Sequence, residues 1–256
     1  MAIDLTQVPE RESLAGDPNA RLAELRVSLA ELQLRQTAHR QRLILIVEGW
    51  EATGKRALLR QILASLDPCS SAVHCSDVAP IMRPSRHWLA DYWERLPEAG
   101  ASAIFYRSWY RRLVEDRVRR DMKASEFSRA CDEINEFEAQ QRDHDTTIIK
   151  FFFHCSEERQ VERTVQRLAD PWQRHMVDEP ETERGERAEA WNALFAETDT
   201  RWAPWTLVNA ECEATGQTAA MQHLVATLDK ALPADPVGID GKQVGEIVDF
   251  PSGLVR

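Results

Sequence analysis

The sequence predicts an α/β fold, a parallel sheet covered by helices on both faces, and three observations carry that expectation. Leu43 to Val47 is an unbroken run of branched apolar residues, the mark of a strand buried on both sides. It runs into Gly49-Trp50-Glu51-Ala52-Thr53-Gly54-Lys55, which fits G-x-x-x-x-G-K and is followed by apolar residues at helical spacing. Further strand-like runs then alternate with segments of helical period, the order that builds a parallel sheet with ligands at the carboxyl ends of its strands.

The elements follow in order. Residues 1–16 are polar and without period, and a mobile N-terminus is expected there. Asp17-Pro18 reads as an N-cap followed by proline at the first helical position. Leu22, Leu25, Leu29 and Leu32 then recur at spacings of three and four, predicting an amphipathic helix over 17–42 that packs on the domain core. After the glycine loop, Ala57, Leu58, Leu59, Ile62, Leu63 and Leu66 give a helix that Asp67-Pro68 stops. Ala72 to Cys75 is a short strand, Met82 to Leu96 a loop and a helix, and Ala101 to Tyr106 a further strand. Helices are predicted over 109–122 and 125–142, then a strongly apolar strand from Thr146 to Phe153. Ser156 opens a helix to Leu168, with Glu157 and Glu158 well placed in its first turn. Asp170 to Gly185 has two prolines and no apolar period, so a surface loop is expected. A helix from Glu186 to Glu197, a strand from Trp205 to Asn209 and a helix from Gln217 to Leu232 complete a domain of 17–232, with 233–256 a tail or linker.

Bulk properties narrow the function. A chain of 256 residues with 43% hydrophobic content supports one large core. A formal net charge of −10 argues against a general nucleic-acid or membrane-surface binder, so a polyanion site must be a local patch. Arg107, Arg111, Arg112, Arg117, Arg119 and Arg120 are the main candidates for such a patch; balanced by Glu115, Asp116 and Asp121, they read equally as a solvated helix face. Five cysteines without a C-x-x-C pair, no signal peptide and no long apolar run make a reduced, cytoplasmic protein the expectation. No histidine sits in a metal-ligand spacing, and His74-Cys75 reads as part of a strand.

The loop from Gly49 to Lys55 points to phosphate. Its glycines let backbone N–H groups close around an anion, the following helix adds its positive end, and Lys55 supplies a point charge. The hydroxyl residue that ordinarily follows the lysine and sits on Mg²⁺ is here Arg56. Metal must then be held by other acids, or not at all.

Three later segments join the loop: Phe105-Tyr106-Arg107-Ser108-Trp109-Tyr110; Phe137-Glu138 with Lys150, Ser156 to Gln160, Arg163, Arg167 and Asp170-Pro171; and Thr198-Asp199-Thr200 with Ala203-Pro204-Trp205. With all four in this order, the chain resembles the polyphosphate kinase 2 family, which moves phosphoryl groups between inorganic polyphosphate and nucleotides. The resemblance runs from roughly Leu22 to Leu228 and implies a P-loop kinase-like domain with a helical lid region at 170–185. It further implies that Gly49, Thr53, Gly54, Lys55 and Arg56 bind phosphate, and that Lys55, Arg107 and Glu51 are catalytic. Arg163, Arg167 and Arg174 would meet polyphosphate from the lid side, and Glu51 would hold Mg²⁺. The implied partners are polyphosphate, a nucleotide such as AMP, ADP or GDP, and either a second copy or an intact relative.

The departures matter as much. The family has Asp where this chain has Glu51, and an acid where it has Tyr106, a phenol in place of a metal-binding carboxylate. Arg56 replaces a small residue, and His175-Met176 replaces the lid's Trp-Lys. Substitutions at these places resemble the degenerate N-terminal half of two-domain polyphosphate:AMP phosphotransferases. Three functions are therefore open: a phosphotransferase with a degraded metal site, an inert binding or structural subunit of the same fold, and a kinase for another small acceptor.

Overall fold

The structure, a computed structural model, describes residues 3–7, 9, 16–75, 86–120, 122–177 and 184–235. Five strands, β1 (Arg42–Gly49), β2 (Ser71–Cys75), β3 (Ser102–Tyr106), β4 (Thr146–His154) and β5 (Trp205–Asn209), form one sheet in the order β2-β3-β1-β4-β5. Every pairing is parallel, with Leu43 opposite Ser102 and Arg42 opposite Thr146. The helices are α1 (Pro18–Ala38), α2 (Lys55–Leu63), α3 (Ala90–Trp93), α4 (Trp109–Arg119), α5 (Ala124–Arg142), α6 (Glu157–Ala169), α7 (Arg184–Thr198) and α8 (Glu213–Ala231), with a single 3₁₀ turn at Arg174–Met176.

Strand alternation sorts the core into two layers. Leu43, Leu45 and Val47 of β1 face the leucines of α1 together with α2 and α8. Ile44 and Ile46 face the opposite way, toward an aromatic layer from α4, α5 and α7 that includes Trp109, Phe137, Trp191 and Phe195. β1 is thus covered on both sides, as its unbroken apolar run requires. Asp17 caps α1 by accepting from the Asn19 amide, and Pro18 occupies its first turn.

Several boundaries differ from expectation, each for a tertiary reason. α1 ends at Ala38 rather than at 42, because Arg40 turns the chain with φ 55° and Arg42 already pairs in the sheet. α8 begins at Glu213, four residues before Gln217, and Gly216 lies inside its first turns. A Cβ there would meet the Asn209 carbonyl oxygen at 2.7 Å, so this glycine marks close approach to β5 rather than a break. The absence of packing expected over residues 1–16 does not hold for all of them. Leu5 is buried in the aromatic layer and its amide donates to Asn192 Oδ1 at 3.0 Å, while the Pro9 carbonyl accepts from Asn209 Nδ2. Much of the lid loop and all of the tail beyond Asp235 lie outside the described residues. Among those described, no helix is long and apolar enough to cross a membrane, and all five cysteines are free.

Candidate active site

The glycine loop closes at the carboxyl end of β1. Gly49 has φ 130°, and a Cβ there would stand 2.3 Å from the Phe153 carbonyl oxygen, so only glycine lets β1 end flush against β4. Ala52 (φ 59°) and Gly54 (φ 86°) carry the chain round to α2, whose first residue is Lys55. The loop is anchored from behind by Trp50, a fully buried indole that donates to His154 Nδ1 at 2.7 Å and lies under the Arg184 guanidinium at 4.7 Å. The Trp50 carbonyl accepts from Thr53 Oγ1 at 2.7 Å and from Lys55 Nζ, which also donates to Gly49 O at 2.7 Å. Lys55 is therefore curled over its own loop.

β3 delivers the second group. Arg107, in a strained left-handed conformation at φ 63°, donates from Nη2 to Glu51 Oε1 at 2.8 Å. Burial alone would raise the Glu51 carboxyl, but the charges of Lys55, Arg107 and Arg111 outweigh it and hold the group below its ordinary value. Tyr106 is 5% exposed, and the guanidinium carbons of Arg56 and Arg107 each lie 5.5 Å from its ring centre. Glu48, on the Ile46 face of β1, turns away from the loop and accepts from Ser108 N and Oγ at 2.6 and 2.8 Å. Burial pushes its carboxyl up against those donations.

α6 and α8 close the third side. Arg163 donates to the carbonyls of Ala210, Glu211 and Ala52 at 2.8, 2.9 and 3.3 Å, tying α6 to the loop. Arg167 Nη2 stands 3.5 Å from Glu213 Oε1. The result is a cleft of about 200 Å³ lined by Glu51 to Ala57, Arg60, Tyr106, Arg167, Gln173 and Glu213.

Of the residues the sequence singles out, Glu51, Thr53, Gly54, Lys55, Arg56, Tyr106 and Arg167 converge on this cleft. Gly49 shapes the loop, Arg107 reaches it through Glu51, and Arg163 braces from outside its lining. Arg174 is exposed and does not line the cleft. Sequence reading passed over Arg60, Gln173, Glu213, Glu48 and the Trp50–His154–Arg184 anchor. Glu48 had a signal, a lone acid in an apolar strand; the others depend on contacts far apart in the chain.

Two charged regions lie outside the cleft lining. On α4, Arg111 and Arg119 pair with Glu115 at 3.0 and 2.8 Å, and Arg112 and Arg120 with Asp116 at 4.0 and 3.2 Å, which is a balanced helix face. Lys150 is fully buried under the aromatic layer, with Nζ donating to Tyr110 Oη at 2.9 Å, Glu138 Oε2 at 3.1 Å and Thr198 O at 2.9 Å. Trp205 Nε1 donates to Thr198 Oγ1, completing a knot drawn from three of the segments that carry the family resemblance.

A glycine-and-lysine loop at the carboxyl end of the central parallel strand, flanked by arginines from the next strand and from α6, defines a P-loop kinase-like domain. The model of the family Polyphosphate kinase 2 matches residues 14–236, and the chain belongs to that family. It is 28% identical over 243 residues to a polyphosphate:AMP phosphotransferase of Pseudomonas syringae pv. tomato, covering 91% of this chain and 47% of the relative. It is 31% identical over 194 residues to an AMP/ADP-polyphosphate phosphotransferase of Meiothermus ruber, covering 74% of this chain and 73% of the relative. The crystal structure of polyphosphate kinase 2 from Arthrobacter aurescens superimposes with a TM-score of 0.82 at 26% identity, over 94% of this chain and 89% of that one. The chain spans about half the length of the Pseudomonas relative.

Proposed function

We propose that the cleft holds inorganic polyphosphate and that the chain is a phosphotransferase of its family, passing phosphoryl groups to or from a nucleotide, with transfer weakened at the position of Tyr106. The observation that carries this reading is the convergence of Lys55, Arg56, Arg60 and Arg167 on one cleft at the carboxyl ends of β1 and β3. A loose phosphoryl-transfer transition state asks for fixed positive charge around the moving group, and these side chains with the loop amides supply it. Arg163 keeps α6 against the loop, and the Trp50 anchor holds the loop's own shape.

The donor set does not fit a resident magnesium ion. Glu51 is tied to Arg107, Glu213 faces Arg167, Glu48 faces Ser108, and the position of the second acid is a phenol. Among the described residues no three His, Cys, Asp or Glu side chains group for a metal. These same contacts favour the second reading, a subunit that binds condensed phosphate without turning it over, comparable to one half of the two-domain relatives.

The test is nucleotide turnover with polyphosphate, Mg²⁺ and AMP, ADP or GDP, run on the wild type, Lys55→Ala and Tyr106→Asp. We expect weak turnover that Lys55→Ala removes and Tyr106→Asp raises at least about tenfold, about 1.4 kcal/mol of barrier. Wild-type turnover no greater than that of Lys55→Ala would leave only the binding reading.

A further inference from the structure

Resting on that reading of the cleft as a condensed-phosphate site, we propose that it takes the phosphate chain as the metal-free polyanion, with Arg56, seated on Tyr106, as its built-in cation.

The carboxylates of the cleft are already matched. Glu51 accepts from Arg107 at 2.8 Å, and Glu213 stands 3.5 Å from Arg167 and 3.8 Å from Arg163. Each carboxylate thus faces a guanidinium, which competes with a divalent ion for it. The unmatched charge is positive: among the described residues neither Arg56 nor Arg60 has a carboxylate partner, and they sit one turn apart on α2 at the cleft wall.

Tyr106 explains why Arg56 belongs to the site. The ring is buried, and the guanidinium 5.5 Å from its centre is held by cation–π attraction, which leaves the N–H donors in the guanidinium plane available to phosphate. An acid at 106 would instead pair with that arginine or draw a metal. Arg107, also 5.5 Å from the ring centre, ties the same platform to Glu51.

The consequence is a reversed response to magnesium. Chelation removes two negative charges from a phosphate chain and brings a hydrated cation toward a wall of arginines, so the chelate loses Coulomb attraction and meets carboxylates that already face guanidinium groups.

Calorimetric titration of the full chain with tripolyphosphate, once in chelator and once in saturating Mg²⁺, tests this. Binding in chelator is expected to be tighter by about tenfold. Arg56→Ala, on an exposed position of the first turn of α2, should lower the metal-free affinity about tenfold, with Arg60→Ala a smaller loss in the same direction. Binding that is tighter with Mg²⁺, or an Arg56→Ala protein that binds like the wild type, overturns the inference and leaves the phosphate reading of the cleft standing. No binding in either buffer by a protein that still melts cooperatively overturns both.

Discussion

At the carboxyl end of β1, Lys55 and Glu51 line one open cleft; in the middle of β4, Lys150 meets Glu138 beneath α4, α5 and α7. Both places join a lysine, a glutamate and a tyrosine, and both lie on segments that resemble a phosphate-handling family. Lys150 has three acceptors within 3.1 Å and no exposure, so every donor it owns is taken. Burial pushes its ammonium down and the Tyr110 phenol up, with Glu138 partly restoring the first and reinforcing the second. Lys55 rests instead on two carbonyls of its own loop, contacts an incoming anion can exchange, beside Arg56 and Arg60, which have no carboxylate partner among the described residues. Residue type is shared between the two places. What separates them is whether solvent and ligand have a way in.

The largest effect that would sharpen this contrast comes from Lys150→Met. Removing one partner of a sealed ion pair strands Glu138, and denaturant unfolding should record a loss of about 3–5 kcal/mol. Tripolyphosphate affinity of the folded fraction should stay at the wild-type value. A drop in affinity without a drop in stability would place Lys150 in the binding site after all.

Next in size is the pH dependence of the loop's anchor. Burial first, and Arg184 second, push His154 to about 4 from 6.5, so the folded protein keeps it neutral with Nδ1 accepting from Trp50. The unfolded chain takes up this proton first. The stability contribution is therefore full above about pH 6.5 and is lost as pH falls toward about 4, by up to about 3 kcal/mol. His154→Gln, which keeps an acceptor for Trp50 but cannot titrate, should flatten that slope in melts across the window; an unchanged slope would move the proton elsewhere.

The smallest effect concerns α4. Arg111, Arg112, Arg119 and Arg120 are paired along the helix, and Arg120→Ala should change stability by no more than about 0.5 kcal/mol and leave tripolyphosphate affinity unaltered. A several-fold loss of affinity would make this helix face part of the polyanion site.

Much of the frame was legible from residues alone, and the parts that were not share one cause. β1, its loop and the cap of α1 are local signals, an apolar run, two glycines with a lysine, and Asp17-Pro18, and each appears where its pattern places it. Leu5 was invisible because one leucine in a polar stretch has no period; only Asn192, far along the chain, gives it a place. The sequence pattern places the start of α8 at Gln217 rather than at Glu213, because the Asn209 carbonyl that demands Gly216 inside the helix belongs to another element. In the site, the loop residues were found and Glu213 was not, since nothing near it in sequence says that its side chain faces Gly54. The segment carrying Lys150 could be matched by resemblance, but whether its lysine faces ligand or core is a property of packing.

The most direct test of the account is a side-by-side titration of the wild type, Lys55→Ala and Lys150→Met with tripolyphosphate, each checked for its folded fraction. The account predicts that wild type and folded Lys150→Met bind alike and that Lys55→Ala does not bind. Retained binding by Lys55→Ala, or lost binding by folded Lys150→Met, would contradict it.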